Sequence, residues 1–228
     1  VPKNKLKKFA EINSFSNVIQ PQNFHDGIEP FPYKGNWSES FFVNKNPIVL
    51  EIGCGKGEYT TGLGVAFPEI NFIGIDIKGD RIWKGAKEAM ERGLHNIAFL
   101  RIQAEWITHF FGNREVSGIW LTFPDPQEKK IRAKKRLTAP PFLERYKQIL
   151  IPGSPIHLKT DNAQLYHFTL SVIKDYKHIL LESSDNLYAD ENIHEPLLKE
   201  IQTYYEKNFL AAGNPIYYVK FSLNERTT

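Results

Sequence analysis

Cysteine is nearly absent from this chain. A single residue, Cys54, stands among 228, so no intramolecular disulfide can form and a cysteine-based zinc site is excluded. Long apolar runs are absent too. No stretch approaches the roughly 20 residues a membrane-spanning helix needs, and the opening VPKNKLKKFA lacks the apolar stretch of a secretion signal. A soluble protein in a reducing compartment, the cytoplasm, is expected, with no membrane partner. Repeats and low-complexity tracts are missing as well. What is present is an ordinary globular composition, 41% hydrophobic and 24% charged, which supports a packed core rather than disorder. The length suffices to bury that core without covalent staples.

Charge is unevenly placed. Lys129–Arg136 reads KKIRAKKR and holds six basic residues in eight. Without those six the formal net charge of +3 becomes −3. Lys3, Lys5, Lys7 and Lys8 add a second basic tip at the start. Concentrated positive charge of this kind is the electrostatic footprint of a polyanion binder, although a run of solvated side chains has the same composition.

Residues 1–45 have no clear period and are rich in aromatics, among them Phe24, Phe31, Tyr33, Trp37, Phe41 and Phe42. They read as an extension, a flexible basic tip followed by a segment that packs on the main body. From residue 46 to 228 the pattern is that of one domain. PIVLEIG (47–53) and NFIGID (71–76) read as buried strands, and NIAFLRI (96–102), VSGIWLTF (116–123), PIHLKTD (155–161), HILLES (178–183) and PIYYVKFSL (215–223) as further strands. Helices are expected over 57–67, 79–92, 140–150, 162–175 and 195–208. In the second of these Ile82, Ala86, Ala89 and Met90 share one face. Alternating strands and helices imply an α/β fold, with a mostly parallel sheet, helices on both faces and a final antiparallel strand. Ligands in such folds sit beyond the carboxyl ends of the strands.

Three motifs fall at those ends. Glu51-Ile-Gly-Cys-Gly-Lys-Gly57 follows the first strand of the domain, and Gly53, Gly55 and Gly57 permit a tight turn against which a ligand can lie. Asp76, after the second strand, suits the two hydroxyls of a ribose, or else caps the next helix. Glu51 ends an apolar strand, where a carboxylate must be paired or face a polar ligand. The cationic amine and sulfonium of S-adenosylmethionine fit it better than the pyrophosphate of NAD. The second motif, Thr122-Phe-Pro-Asp-Pro126, holds Asp125 between two stiffening prolines. The third is the basic run directly after it, a phosphate clamp beside the reactive edge. The seven histidines are scattered and read as structural or exposed.

Taken together, EIGCGKG, GIDIK, FPDP with its basic tail ending KKRL, LKTD and the closing aromatic strand resemble the tRNA (guanine-N7)-methyltransferase family. The resemblance spans roughly residues 47–223. It implies the Rossmann-like class I methyltransferase fold and methylation of N7 of a variable-loop guanine with S-adenosylmethionine. It implies donor-binding roles for Glu51, the three glycines, Asp76, Gln103 and Asp125. Asp125 is also the implied catalytic residue, with Lys129, Asp161, Lys130 and Arg132 toward the substrate. No metal is implied, and the partner is tRNA, met by a monomer, a homodimer or a chain with a protein partner. Two departures stand out. Gln127 replaces the family's usual tryptophan, and the family's closing T-x-F-E, which contributes substrate contacts, falls on Val219-Lys220-Phe221-Ser222. Tyr217, Tyr218 and Phe221 either stack on the target base or simply pack the strand. Methyltransferase action on another substrate, and RNA binding without catalysis, are the alternative readings.

Overall fold

In the computed structural model, residues 3–21, 31–195 and 197–224 are described; Phe24 of the extension lies outside them. The strands are β1 (Val18–Ile19), β2 (Ile48–Ile52), β3 (Asn71–Ile75), β4 (Ile97–Leu100), β5 (Val116–Thr122), β6 (Pro155–Thr160), β7 (Ile179–Ser184) and β8 (Tyr217–Ser222). The helices are α1 (Lys3–Ile12), α2 (Trp37–Ser40), α3 (Glu58–Ala66), α4 (Gly79–Glu91), α5 (Ile107–Phe110), α6 (Pro140–Ile149), α7 (Ala163–Asp175) and α8 (Tyr204–Ala211). Short 3-10 turns occupy Ala104–Trp106 and Lys130–Lys135.

All eight strands join one sheet in the order β1-β4-β3-β2-β5-β6-β8-β7. The central strands are apolar on both faces, as parallel strands covered by helices must be. Leu50 of β2 pairs with Ile73 of β3 on one side and Ile119 of β5 on the other. β8 inserts antiparallel between β6 and β7, with Val219 opposite both Leu158 and Ser183. Helices α5, α6 and α7 bury Ile107, Phe142, Tyr146, Leu165 and Ile173 against one face. On the other face lie α3 with Tyr59 and Leu63, α4 with Ile82, Ala86 and Ala89, and the end of α1 with Ile12. The chain steps outward from β2 through β3 to β4, then returns to lay β5 on the other side of β2. That reversal opens a crevice at the carboxyl edge.

The N-terminal extension is built into this body. β1 adds a parallel strand beside β4, and the basic tip expected to be flexible folds as α1. The Trp83 Nε1–H of α4 donates to Glu11 Oε2 at 2.7 Å. Trp37 is fully buried, donates to the Phe110 carbonyl at 2.9 Å and stacks on Phe111. Two other expectations need correction. Met90 is 43% exposed, because Gly85 and Ala86 turn the packed face of α4 away from it. The helix expected over 195–208 begins only at Tyr204. Its start is set by a capping box in which Thr203 Oγ1 accepts from the Glu206 amide and Glu206 Oε2 accepts from the Thr203 amide.

Glu206 also holds α8 on the sheet. Its carboxylate lies 2.6 Å from Lys159 Nζ of β6, with both side chains fully buried, and it accepts from the Tyr188 hydroxyl at 2.8 Å. Lys159 further donates to the Leu198 carbonyl. Removing one partner of such a pair strands the other charge in the interior. Glu206→Gln is expected to lower unfolding stability by about 3 kcal/mol. Thermal denaturation checks this, and an unchanged midpoint would show that the pair does not hold α8.

Candidate active site

The loop after β2 uses its three glycines for three purposes. Gly53, at φ +81°, turns the chain, and a Cβ there would meet only Leu137 at 3.7 Å across the crevice. The Gly53 and Cys54 amides donate to the Ile75 carbonyl at 2.8 and 3.0 Å. Gly55 donates its amide to Asp76 Oδ2 at 3.0 Å. Gly57, at φ +71°, lies so close to α4 that a Cβ would sit 2.6 Å from the Phe99 ring and 3.2 Å from Gly85 Cα. The first glycine thus faces a ligand space, the second is a hydrogen-bond donor, and the third allows α3 and α4 to touch.

Asp76 is the acceptor that shapes this loop. Besides Gly55, its Oδ1 accepts from the Lys78 amide at 2.8 Å. Each oxygen retains a lone pair for a further donor, and the residue lines the crevice.

Glu51 is placed differently from expectation. It is 3% exposed and does not line the crevice. Oε2 accepts from the Thr60 amide at 2.8 Å and from the Thr60 hydroxyl, while Oε1 is bonded to the Thr122 hydroxyl. Its strand position points it into the layer between β2, α3 and β5, where it is paired with Thr60 and Thr122. It thus ties α3, which follows the glycine loop, to Thr122, which precedes the Pro-Asp-Pro loop. Burial pushes its carboxyl up to about 7, against the opposing effect of the threonine hydrogen bonds.

The loop after β5 is tightly determined. Phe123 and Gln127 both sit at φ +48°, a left-handed conformation unusual for large side chains. The Phe123 amide donates to the Lys159 carbonyl at 2.7 Å, and the Gln127 amide donates to Asp125 Oδ1 at 3.0 Å. Asp125 is exposed at the crevice rim. Beyond it, Lys129, Lys130, Arg132, Lys134 and Lys135 are all exposed. Among the described residues none of them has an ion-pair partner. Arg136 is different and points inward, 3% exposed.

These loops enclose a cavity of about 390 Å³, within the range of small-molecule sites. Gly53, Asp76, Gln103 and Asp125 line it, over a floor of Ile52, Ile75 and Ile102. Of the expected donor residues, Glu51, Gly55 and Gly57 lie behind this wall. Lys129, Lys130, Arg132 and half-buried Asp161 stand outside the cavity. Burial raises the Asp161 carboxyl above its usual range. The lining suits an adenosyl donor: two free carboxylate lone pairs for ribose hydroxyls, an amide for the adenine edge, apolar walls for the ring, and bare backbone at Gly53.

The closing strand does not carry the family's T-x-F-E. Val219 and Phe221 are fully buried and Ser222 is 3% exposed, so β8 packs rather than binds; Tyr218 is buried as well, and Tyr217 packs on Tyr166. A related T-x-Y-E, with Tyr205 in place of the phenylalanine, occurs at Thr203-Tyr204-Tyr205-Glu206, the capping box of α8. The Tyr204 amide donates to Glu58 Oε2 at 3.0 Å, and Lys56 Nζ lies 4.7 Å from the Tyr204 ring. This stretch therefore abuts the glycine loop. The spacing of Thr203 and Glu206 was legible as a capping box, but the expected helix ran across it.

Fold and cavity together define a class I methyltransferase. A family described as "Putative methyltransferase" matches residues 45–219. The chain is 48% identical to the tRNA (guanine-N(7)-)-methyltransferase of Christiangramia forsetii, over 97% of this chain and 98% of that protein. It is 47% identical to the enzyme of the same name from Bacteroides fragilis, over 97% and 86%. The chain belongs to the tRNA (guanine-N7)-methyltransferase family. Solved structures share the fold at low identity. The 16S rRNA methyltransferase KamB superposes with a TM-score of 0.62 at 12% identity, covering 84% of this chain and 94% of its own. The 16S rRNA (adenine(1408)-N(1))-methyltransferase from Catenulisporales acidiphilia gives 0.60 at 13%, covering 91% and 99%.

The raised Glu51 carboxyl has a consequence for stability. The folded state keeps this proton to about pH 7, whereas the unfolded chain releases it near pH 4.5. The favourable contribution is therefore complete below the unfolded value and lost as pH rises toward 7. Glu51→Gln removes this dependence, on the order of 3 kcal/mol across the interval. Denaturation midpoints of the variant relative to the parent are expected to rise between pH 5 and pH 8; parallel profiles would contradict the assignment.

Proposed function

We propose that this chain transfers a methyl group from S-adenosylmethionine to N7 of a guanine in the variable loop of tRNA, in the cytoplasm. The observation that carries this reading is a juxtaposition. A carboxylate on a tightly held loop, Asp125, borders a cavity fit for an adenosyl donor, and five exposed cations, with no ion-pair partner among the described residues, follow it in the chain. Family membership supplies the nucleobase and its atom.

Guanine N7 presents an in-plane lone pair and is a plain acceptor. When the donor is bound, that lone pair forms the new carbon–nitrogen bond while the carbon–sulfur bond breaks and leaves its electrons on sulfur. No proton moves, so no general base is needed; among the described residues no histidine lines the cavity. Asp76 accepts from the ribose and Gln103 meets the adenine. Gly53 lets the donor lie against the chain. Asp125 stabilises the positive charge that develops on the purine and accepts from guanine N–H groups. Asp161 stands at the carboxyl end of β6, beside the Asp125 loop, as a second acceptor for those groups. Lys129 reaches phosphate or guanine O6, while Lys130 and Arg132 neutralise the RNA backbone. Catalysis is mainly placement and electrostatics.

Asp125→Ala is expected to lower kcat about a hundredfold with the affinity for S-adenosylhomocysteine nearly unchanged. A collapse of that affinity would show that Asp125 acts chiefly in donor binding rather than on the purine. Asp76→Ala should show the reverse, weakening S-adenosylhomocysteine by about tenfold or more, since hydrogen bonds to an ionised group are among the stronger ones. Lys130→Ala should raise KM for tRNA and reduce the slope of log affinity against log salt by about one. An unchanged slope would remove Lys130 from the RNA interface.

A further inference from the structure

Arg136 closes the basic run in sequence but not in space. Its neighbours Lys134 and Lys135 are exposed, while its own side chain is 3% exposed. Nε donates to the Pro126 carbonyl at 2.9 Å and Nη2 to the Gln127 carbonyl at 3.3 Å. The guanidinium carbon lies 4.4 Å from the centre of the Phe168 ring of α7. Pro126 and Gln127 are the two residues immediately after Asp125. The planar fork of an arginine matches two adjacent acceptors, and its flat face matches an aromatic ring.

We infer that Arg136 is a positioning residue for Asp125: it fixes the backbone that aims the carboxylate, and it does not bind RNA phosphate. Three features of the loop need such an anchor. Gln127 is left-handed at φ +48°. Its amide must stay pointed at Asp125 Oδ1 to complete the turn. Neither Pro124 nor Pro126 has an amide hydrogen, so the backbone can donate nothing at those positions and is held through its carbonyls. The far side of the loop is held from α7, where Asn162 Nδ2 donates to Glu128 Oε1 at 3.3 Å and Gln164 Nε2 to the Glu128 carbonyl at 3.4 Å. With Phe168 stacked on Arg136, α7 grips both ends of the 126–128 segment. A misplacement of about 1 Å at a reacting centre can cost two orders of magnitude in rate, so an interaction 10 residues along the chain from its carbonyl acceptor acts on the chemistry through Asp125.

This inference rests on the proposed role of Asp125, and a double-mutant cycle separates the two. Asp125→Ala, Arg136→Ala, Arg136→Lys and the Asp125→Ala/Arg136→Ala pair are assayed with the full chain and unmodified tRNA. Active sites are counted by S-adenosylhomocysteine binding, so that loss of folded protein is not read as loss of rate. Arg136→Ala should lower kcat per active site about tenfold or more, leave KM for tRNA within about twofold, and leave the salt slope unchanged, because no phosphate contact is lost. Arg136→Lys keeps the charge without the fork and should recover only part of kcat. In the Asp125→Ala background the arginine change should have little further effect. A normal kcat with raised KM and a shallower salt slope would make Arg136 a phosphate ligand and overturn the inference. A lowered melting temperature with normal kcat per site would overturn it as well. If Asp125→Ala itself keeps full kcat, the reading of Asp125 fails, whatever Arg136 does.

Discussion

One buried carboxylate connects the two loops on which the site depends. Glu51 accepts from Thr60 on one side and is bonded to Thr122 on the other. Thr60 lies in the first turn of α3, just past the glycine loop; Thr122 is the last residue of β5, just before Asp125. Both threonines are buried, so water offers neither of them a substitute partner. Desolvation of the carboxylate opposes this arrangement, and three hydrogen bonds offset part of that cost. The outcome is a fixed distance between the part of the edge suited to a donor and the part suited to an acceptor. For a transfer that depends on approach and alignment, that distance is the quantity to control.

The remainder of the edge is organised around the same need. Asp76 holds the glycine loop through two backbone amides, leaving lone pairs that face the cavity. The Pro-Asp-Pro loop is held by Lys159 through its carbonyl and by Arg136 through its guanidinium. Lys159 works in two directions, since its side chain also pairs with Glu206 and anchors α8 beside the glycine loop. Charge is thus sorted by exposure. Cations whose partners lie inside, Lys159 and Arg136, position backbone, and the exposed cations from Lys129 to Lys135, without ion-pair partners among the described residues, face the solvent.

Much of this fold could be read from the chain. β2, β3, β5 and β6 are short, mainly apolar runs followed within two residues by glycine, proline or aspartate, and burial on both faces leaves such runs few other structures to form. The glycine loop was legible because positive φ values favour glycine, and Asp76 and Asp125 because each is a carboxylate just beyond the carboxyl end of a strand. Three things were not. The direction of Glu51 depends on which face of β2 it occupies, and an apolar strand with one carboxylate does not reveal that. The role of Arg136 was hidden by its neighbours, because a run of six cations carries no sign of which one turns inward. The Thr203–Glu206 motif was overlooked because a helical pattern was extended through it, and its partner Lys159 is distant in sequence. Each of these failures concerns a buried polar group whose partner comes from another element.

On the proposed mechanism, placement and electrostatics deliver a methyl group to guanine N7, with the lone pair of that nitrogen as the sole nucleophile. This mechanism is tested most directly by two otherwise identical tRNA transcripts, one with guanine and one with 7-deazaguanine at the methylated position, incubated with the full chain and labelled S-adenosylmethionine. Equal binding of the two RNAs is expected, with label entering the guanine transcript and none entering the 7-deaza transcript. Incorporation into the 7-deaza transcript would place the methyl group on another atom and contradict the mechanism.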